Sequence, residues 1–291
     1  MKNNPTNVSI AFQGERGAFS EEAALKYFAH DNIETVPYET FKDVMRAVDD
    51  GKANYGVLPV ENSQEGNIDE ACDLLLDFDL CIVAEIKLRI VHCLIGHVGA
   101  EIQDIKKVYS HPQGLRQCRD FLNQYDWDRI PAYNTAGSVR MISKRNDKTE
   151  AAIASERAAA IYQMKILKEG IENDIHNYTR FFALSRPDVG MRSLTSSEEK
   201  EKKAMKSSIV FATDHVPGAL YDCLGELARR DINMTKLESR PSRDKNWEYV
   251  FFVDFEGSLE EEKCRSAINE IKKKASFLKI LGSYSAAEDF E

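Results

Sequence analysis

At 291 residues, 43% hydrophobic and 30% charged, the chain is longer than one hydrophobic core usually supports and has apolar material for two. Its formal charge of −9 argues against a nucleic-acid partner, because phosphate binding needs a basic face that releases counterions. The opening MKNNPTNVSIAFQG has no apolar h-region and nowhere do about 18 apolar residues run together, so a secretory leader and a membrane span are not expected and the chain reads as cytoplasmic.

In chain order, VSIAF is the first predicted strand, followed by a helix from about Ser20 to Ala29 with Ala24, Tyr27 and Phe28 on one face. YGVLPV, CIVAEIKLRIVHCLIG, KKVYS, RIPAY, AAIAS and TRFFAL read as further strands. Strands alternating with helical patterns imply an α/β unit whose sheet is largely parallel and covered on both faces. Residues 185–206, SRPDVGMRSLTSSEEKEKKAMK, show neither period and crowd Lys with Glu, as a solvated linker does.

Beyond it SSIVFAT, INMTKLES, WEYVFFVDF and FLKILGSY are strands. Between them lie a helix with Leu220, Leu224 and Leu227 on one face and another, residues 260–274, with Cys264, Ile268 and Ile271. The order βαββαβ is that of a ferredoxin-like unit. In WEYVFFVDF one face carries Trp247, Tyr249, Phe251, Val253 and Phe255, while the other still offers Val250 and Phe252. That second apolar face predicts cover from a partner subunit, in preference to cover from the chain's own other domain.

Cys72, Cys81, Cys93, Cys118, Cys223 and Cys264 make no C-x-x-C pair and the six histidines make no H-E-x-x-H, so no disulfide, metal or cofactor is expected. Ligand chemistry is sought instead in the turns that open helices: QGERGAFS, VENSQEGN, SHPQG, NTAGS and ASER. Helix N-termini present unpaired N–H groups and partial positive charge, so together they suit a small anion without needing lysine. N-capping explains any one of their polar residues taken alone. Glu61, Asn62 and Ser63 put a carboxylate, an amide and a hydroxyl side by side. His111 either donates to an anion or caps the helix that Pro112 opens.

Six motifs in one order, FQGERGAFSEEAA, GVLPVENSQEGNID, SHPQGLRQC, NTAGS, NYTRFFAL and PGALYDCLGELARRDINMTKLESRP, resemble those of monofunctional prephenate dehydratases with a C-terminal ACT regulatory domain. The resemblance runs from about residue 8 to 285. It implies a two-lobed catalytic domain of the type II periplasmic-binding-protein-like class over residues 1–187, a charged linker over 188–206 and an ACT domain over 207–285. The implied reaction is the decarboxylative dehydration of prephenate to phenylpyruvate in phenylalanine biosynthesis, without a cofactor, with L-phenylalanine as effector. The family's catalytic threonine falls on Thr179. Ser20, Asn62, Ser63, His111, Thr135, Asn177, Arg180 and Phe181 are the expected substrate-binding residues. The effector would be sensed by Gly218, Ala219, Leu220, Asn233, Glu238, Ser239, Arg240 and Pro241 in a homodimer or homotetramer.

On a strand, neighbouring side chains face opposite ways, so Thr179 is expected in the cleft and Arg180 outside the chemistry, anchoring the lobe or a carboxylate. The rival readings are an arogenate dehydratase and, from a different class, a non-catalytic amino-acid sensor.

Overall fold

The computed structural model describes residues 8–29, 32–189, 204–242 and 249–287. The chain builds a first lobe from β1 (Val8–Gln13), α1 (Phe19–Tyr27), β2 (Ile33–Tyr38), α2 (Phe41–Asp49), β3 (Tyr55–Asn62), the two-residue β4 (Gly66–Asn67), α3 (Asp69–Asp77) and β5 (Cys81–Arg89). It then crosses to a second lobe made of β6 (Cys93–Gly96), β7 (Lys107–Ser110), α4 (Pro112–Gln117), α5 (Arg119–Leu122), β8 (Asp128–Pro131), α6 (Thr135–Ser143), β9 (Glu150–Ala154), α7 (Glu156–Ile161) and β10 (Lys165–Glu169). Strand β11 (Tyr178–Ser185) returns to the first lobe. Among the described residues no helix is long and apolar enough to cross a membrane.

The first sheet runs β2-β1-β3-β11-β5 with β4 beside β3, and the second runs β10-β6-β9-β7-β8. Neither is the largely parallel sheet expected. β11 lies antiparallel between β3 and β5, and β6 lies antiparallel between β9 and β10. The cause is the double crossing: a strand that comes back from the other lobe enters from the opposite end. For the same reason residues 81–96, which read as one long strand, divide into β5 and β6 in different sheets, with Ile90, Val91 and His92 bridging the lobes. The two crossings pair by backbone hydrogen bonds, Ile90 N–H to the Asn177 carbonyl (2.7 Å) and Ile171 N–H to the His92 carbonyl (3.1 Å).

The third sheet holds β12 (Met205–Thr213), β13 (Met234–Pro241), β14 (Tyr249–Glu256) and β15 (Ala275–Ser285) in the order β13-β14-β12-β15, all antiparallel. α8 (Ala219–Ala228) and α9 (Glu262–Lys274) cover one face, burying Cys223, Leu227, Ile268 and Ile271 against Phe211, Val253 and Phe255. This is the βαββαβ unit. Residues 190–203 of the expected linker, and Trp247, lie outside the described residues.

The other face of this sheet overturns the expectation of a partner subunit there. Val210, Val250, Phe252, Leu281 and Tyr284 join one core with Leu58, Leu74, Leu75, Phe182 and Leu184 of the first lobe. Val250 and Phe252 are therefore buried by the chain itself, since the third sheet lies flat on the first lobe. Polar contacts fix this docking. Lys279 Nζ donates to the carbonyls of Leu75 (3.0 Å), Leu76 (3.3 Å) and Phe78 (2.6 Å), supplying a cation where α3 ends in unpaired carbonyls. Arg240 pairs with Asp69 (2.5 Å) and Asp73 (3.3 Å) at the other end of α3.

Candidate active site

The two lobes enclose a cleft of about 420 Å³. The first lobe contributes Ser20 from the start of α1, Pro59 and Asn62 from β3, Glu70 from the start of α3, and Thr179 and Phe181 from β11. Facing them are His111 and Gln117 of the α4 segment, Asn134 and Thr135 at the start of α6, and His92 from the crossing. The N-termini of α1, α3, α4 and α6 thus converge on one space. None of the lining residues is Lys or Arg. Negative charge placed here meets neutral donors and helix ends, with Glu70 as the one carboxylate among the lining residues.

Thr179 is buried on the cleft side of β11, directly opposite Asn62 of β3. The Asn62 side-chain oxygen accepts from the backbone N–H groups of Gln64 (3.0 Å) and Glu65 (3.1 Å), which fixes the amide with its nitrogen toward Thr179. That nitrogen donates to Thr179 Oγ1 at 3.0 Å, to Asn177 Oδ1 at 2.8 Å and to the Tyr178 carbonyl at 3.2 Å. With its oxygen already an acceptor and no donor bond of its own among the described residues, the Thr179 hydroxyl keeps its proton for the cleft. The pairing of β11 with β3 shifts register between Arg180 and Phe181, opposite Pro59, which has no N–H to give the ladder.

A buried chain of amides continues from this pair into the second lobe. Asn177 Nδ2 donates to Gln117 Oε1 (3.2 Å), and His92 Nε2 meets the same oxygen at 2.9 Å. Gln117 Oε1 can only accept, so Nε2 carries the proton and Nδ1 stays bare, buried and without a partner among the described residues. Burial pushes the His92 pKa below its ordinary 6.5. His111 caps α4 by accepting the Gln113 N–H on Nδ1 (3.2 Å), so its Nε2 is the protonated nitrogen; burial, followed by nearby Arg116, lowers its pKa as well. Both imidazoles are neutral at neutral pH.

His92 gives a pH prediction. Below pH ~6.5 the unfolded chain binds a proton that the folded chain refuses, so the unfolded state holds more protons and stability falls as pH falls. His92→Gln is expected to flatten the slope of stability against pH between about pH 6.5 and 5. Urea titrations at stepped pH measure it, and an unchanged slope would count against a neutral His92.

Of the residues expected to bind substrate, Ser20, Asn62, His111, Thr135 and Phe181 line the cleft together with Thr179. Asn177 is fully buried and stands behind Asn62. Ser63 is a correction, and so is Arg180 as a substrate-binding residue, whereas its place outside the chemistry is the one strand alternation predicts. The Ser63 hydroxyl donates to the His176 carbonyl (3.0 Å) and accepts the Tyr178 N–H (2.9 Å), so it pins the 61–67 turn to β11 and does not line the cleft. Arg180 follows strand alternation onto the opposite face of the sheet, where it meets β14 of the third sheet. His92 and Gln117 escaped the sequence reading; His92 sits in an apolar run taken for strand interior, and Gln117 drew no notice within SHPQGLRQC.

On the βαββαβ unit, Gly218, Ala219 and Leu220 line an open hollow with Phe251, and Ser239 shares that face as the cross-strand partner of Phe251. Gly218 adopts φ +86° at the start of α8, a conformation that suits glycine. Glu238 and Arg240 are further corrections: alternation along β13 turns them onto the first lobe, where they meet Asn67 and the acidic start of α3. Asn233 hydrogen-bonds Glu256 (3.1 Å), and Asn233 and Glu256 line a separate hollow.

The family model for prephenate dehydratase matches residues 10–189, and that for the ACT domain matches residues 193–272. A chloroplastic arogenate dehydratase/prephenate dehydratase of Arabidopsis thaliana is 40% identical over 97% of this chain and 74% of its own length. The crystal structure of a prephenate dehydratase from Arthrobacter aurescens in complex with L-Phe superposes with a TM-score of 0.84 at 27% identity, covering 96% of this chain and 90% of that one. The structure of GqqA, described as a novel type of quorum quenching acylase, superposes with a TM-score of 0.84 at 32% identity, covering 96% of this chain and 98% of that one.

Proposed function

Because the chain belongs to the prephenate dehydratase family and carries an ACT domain, we propose that it converts prephenate to phenylpyruvate, water and carbon dioxide, with Thr179 as proton donor. The C–C bond to the ring carboxylate breaks, its electron pair enters the ring, and the ring C–O bond breaks toward the leaving hydroxyl. That oxygen takes one proton through the Thr179 hydroxyl to leave as water, and solvent returns the proton to Thr179, so each turnover consumes one proton from water. Aromatisation drives the step, so the site need only stabilise charge growing on the departing oxygen.

The observation that carries this reading is the Thr179 hydroxyl, held as acceptor by Asn62 Nδ2 at 3.0 Å and lining the cleft. The cationless lining supports the rest. An ion pair on the ring carboxylate would stabilise the reactant and raise the barrier, whereas helix ends near Ser20 and Thr135 suit the side-chain carboxylate. Arogenate, which replaces the side-chain keto group by an ammonium, is the second substrate reading, favoured by the Arabidopsis relative's double name. An acylase reading finds no nucleophile–base pair in the cleft among the described residues, since His92 bonds Gln117 and His111 bonds the Gln113 backbone. Side-by-side kcat/KM on prephenate and arogenate tests the proposal, and turnover of neither would sink it.

L-phenylalanine is the proposed effector, supported by the Phe-bound relative and the ACT match. Exposed Val216 and Tyr221 beside the Gly218 hollow support completion by a second copy, in a homodimer or homotetramer. Ser239→Ala and Gly218→Ala are expected to raise the phenylalanine concentration for half-inhibition about tenfold, the loss of one hydrogen bond or backbone fit, at unchanged basal kcat. Inhibition as in the parent would refute the site.

A further inference from the structure

Thr179 takes its hydrogen bond inside the cleft, but the residue after it is gripped from outside. The Arg180 side chain is only 11% exposed, and its guanidinium lies over the Phe182 ring at 4.7 Å. Arg180 Nε is 2.5 Å from Glu85, and its terminal nitrogens are 3.5 Å from Glu61 and 2.7 Å from Asp254. Glu61 and Glu85 sit on the strands flanking β11, so they stay with Arg180 whatever the regulatory sheet does. Asp254, on β14, reaches it from the other domain.

We infer that Asp254 is a positioning residue for the dehydration, acting on Thr179 through Arg180 and the strand they share; the inference rests on the reading of Thr179 as proton donor. Asp254 is itself fixed, because Ser208 Oγ donates to its Oδ1 (2.5 Å) and also bonds Tyr284 Oη (2.5 Å), which lies 3.4 Å from Arg180. Arg180 Nε and Asp254 Oδ2 are at ion-pair distance from their partners without hydrogen-bond alignment, so charge and domain spacing set the grip.

Two features make β11 responsive at this point. The ladder to β3 shifts register between Arg180 and Phe181, opposite Pro59, so on that side the pairs at Thr179 and Arg180 are offset from the rest of the strand, while the ladder to β5 runs on from Tyr178 to Ala183. Glu85 Oε1 is also shared with Lys206 at 2.8 Å, so an Arg180 deprived of Asp254 would be drawn along its own sheet into competition for one oxygen. Moving Arg180 moves the adjoining Thr179 peptide, and proton transfer to a leaving oxygen is sensitive to displacements well below an ångström.

Steady-state kinetics of the full chain on prephenate test this. Asp254→Asn, which keeps shape and removes charge, is expected to lower kcat by on the order of ten- to a hundredfold with KM little changed. In an Arg180→Gln background the same substitution should add no further loss, as two residues in one line of action do. Lys279→Met, which cuts another contact between the same domains, should leave kcat unchanged. If Asp254→Asn does not fold, Ser208→Ala takes its place, with a several-fold loss in kcat expected. Parental kcat in the substituted chain, additive losses in the double variant, or an equal loss in Lys279→Met would each overturn the inference. No turnover by the parent enzyme would instead refute the proposed function.

Discussion

Thr179→Ala is expected to lower kcat by about 10²- to 10³-fold, the usual cost of removing one positioned donor from a site of developing negative charge. KM and folding are expected to change little, for distinct reasons. The proposed holders of the substrate carboxylates are the helix ends near Ser20 and Thr135, and not the Thr179 hydroxyl. Removing the hydroxyl leaves Asn62 Nδ2 with two other acceptors, Asn177 Oδ1 and the Tyr178 carbonyl, so no buried donor is stranded. Thr179→Ser, which keeps the oxygen, should retain most of the rate. A single-turnover measurement beside steady-state kcat reports chemistry directly, and an Ala variant with more than about a tenth of the parental kcat would refute the donor role.

The largest expected effect on stability comes from Gly282→Ala. Gly282 adopts φ +152°, and a β-carbon there would stand 2.3 Å from the Ile82 carbonyl oxygen of β5. Backbone cannot yield as a flexible side chain does, so β15 would have to lift from the first lobe, loosening Leu281 and Tyr284 from the core they share with it. Overpacking and an unfavourable backbone together cost about 3 kcal/mol or more. Urea denaturation measures this; a loss below about 0.5 kcal/mol would mean that the two domains are less tightly seated than the geometry says.

Chemistry close to the backbone was legible in the sequence. Turns opening helices at Ser20, His111 and Thr135 do converge, because a helix N-terminus is written locally in small polar residues. Alternation along TRFFAL separated Thr179 from Arg180, and the same rule, left unapplied to ESRP, would have turned Glu238 and Arg240 away from Ser239. What local pattern lacks is the identity of the covering surface. Val250 and Phe252 announce that something apolar lies over them, and only tertiary structure shows that it is the first lobe. β2 and β10 went unread because each is an edge strand with one neighbour and a half-exposed, weakly apolar sequence. His92 was hidden for the opposite reason, as a polar group on the crossing whose partner Gln117 lies at the end of α4, distant in sequence.

The lining of the cleft, free of lysine and arginine, has a consequence for how substrate arrives. A dianion approaching a chain of net charge −9 finds no distant attraction, only repulsion that salt shortens to a Debye length of about 10 Å at 0.1 M. Capture is left to collisions that bring it within a turn of the helix ends, where the favourable field begins. Encounter should therefore quicken as ionic strength rises, the reverse of enzymes that steer anions with basic rims.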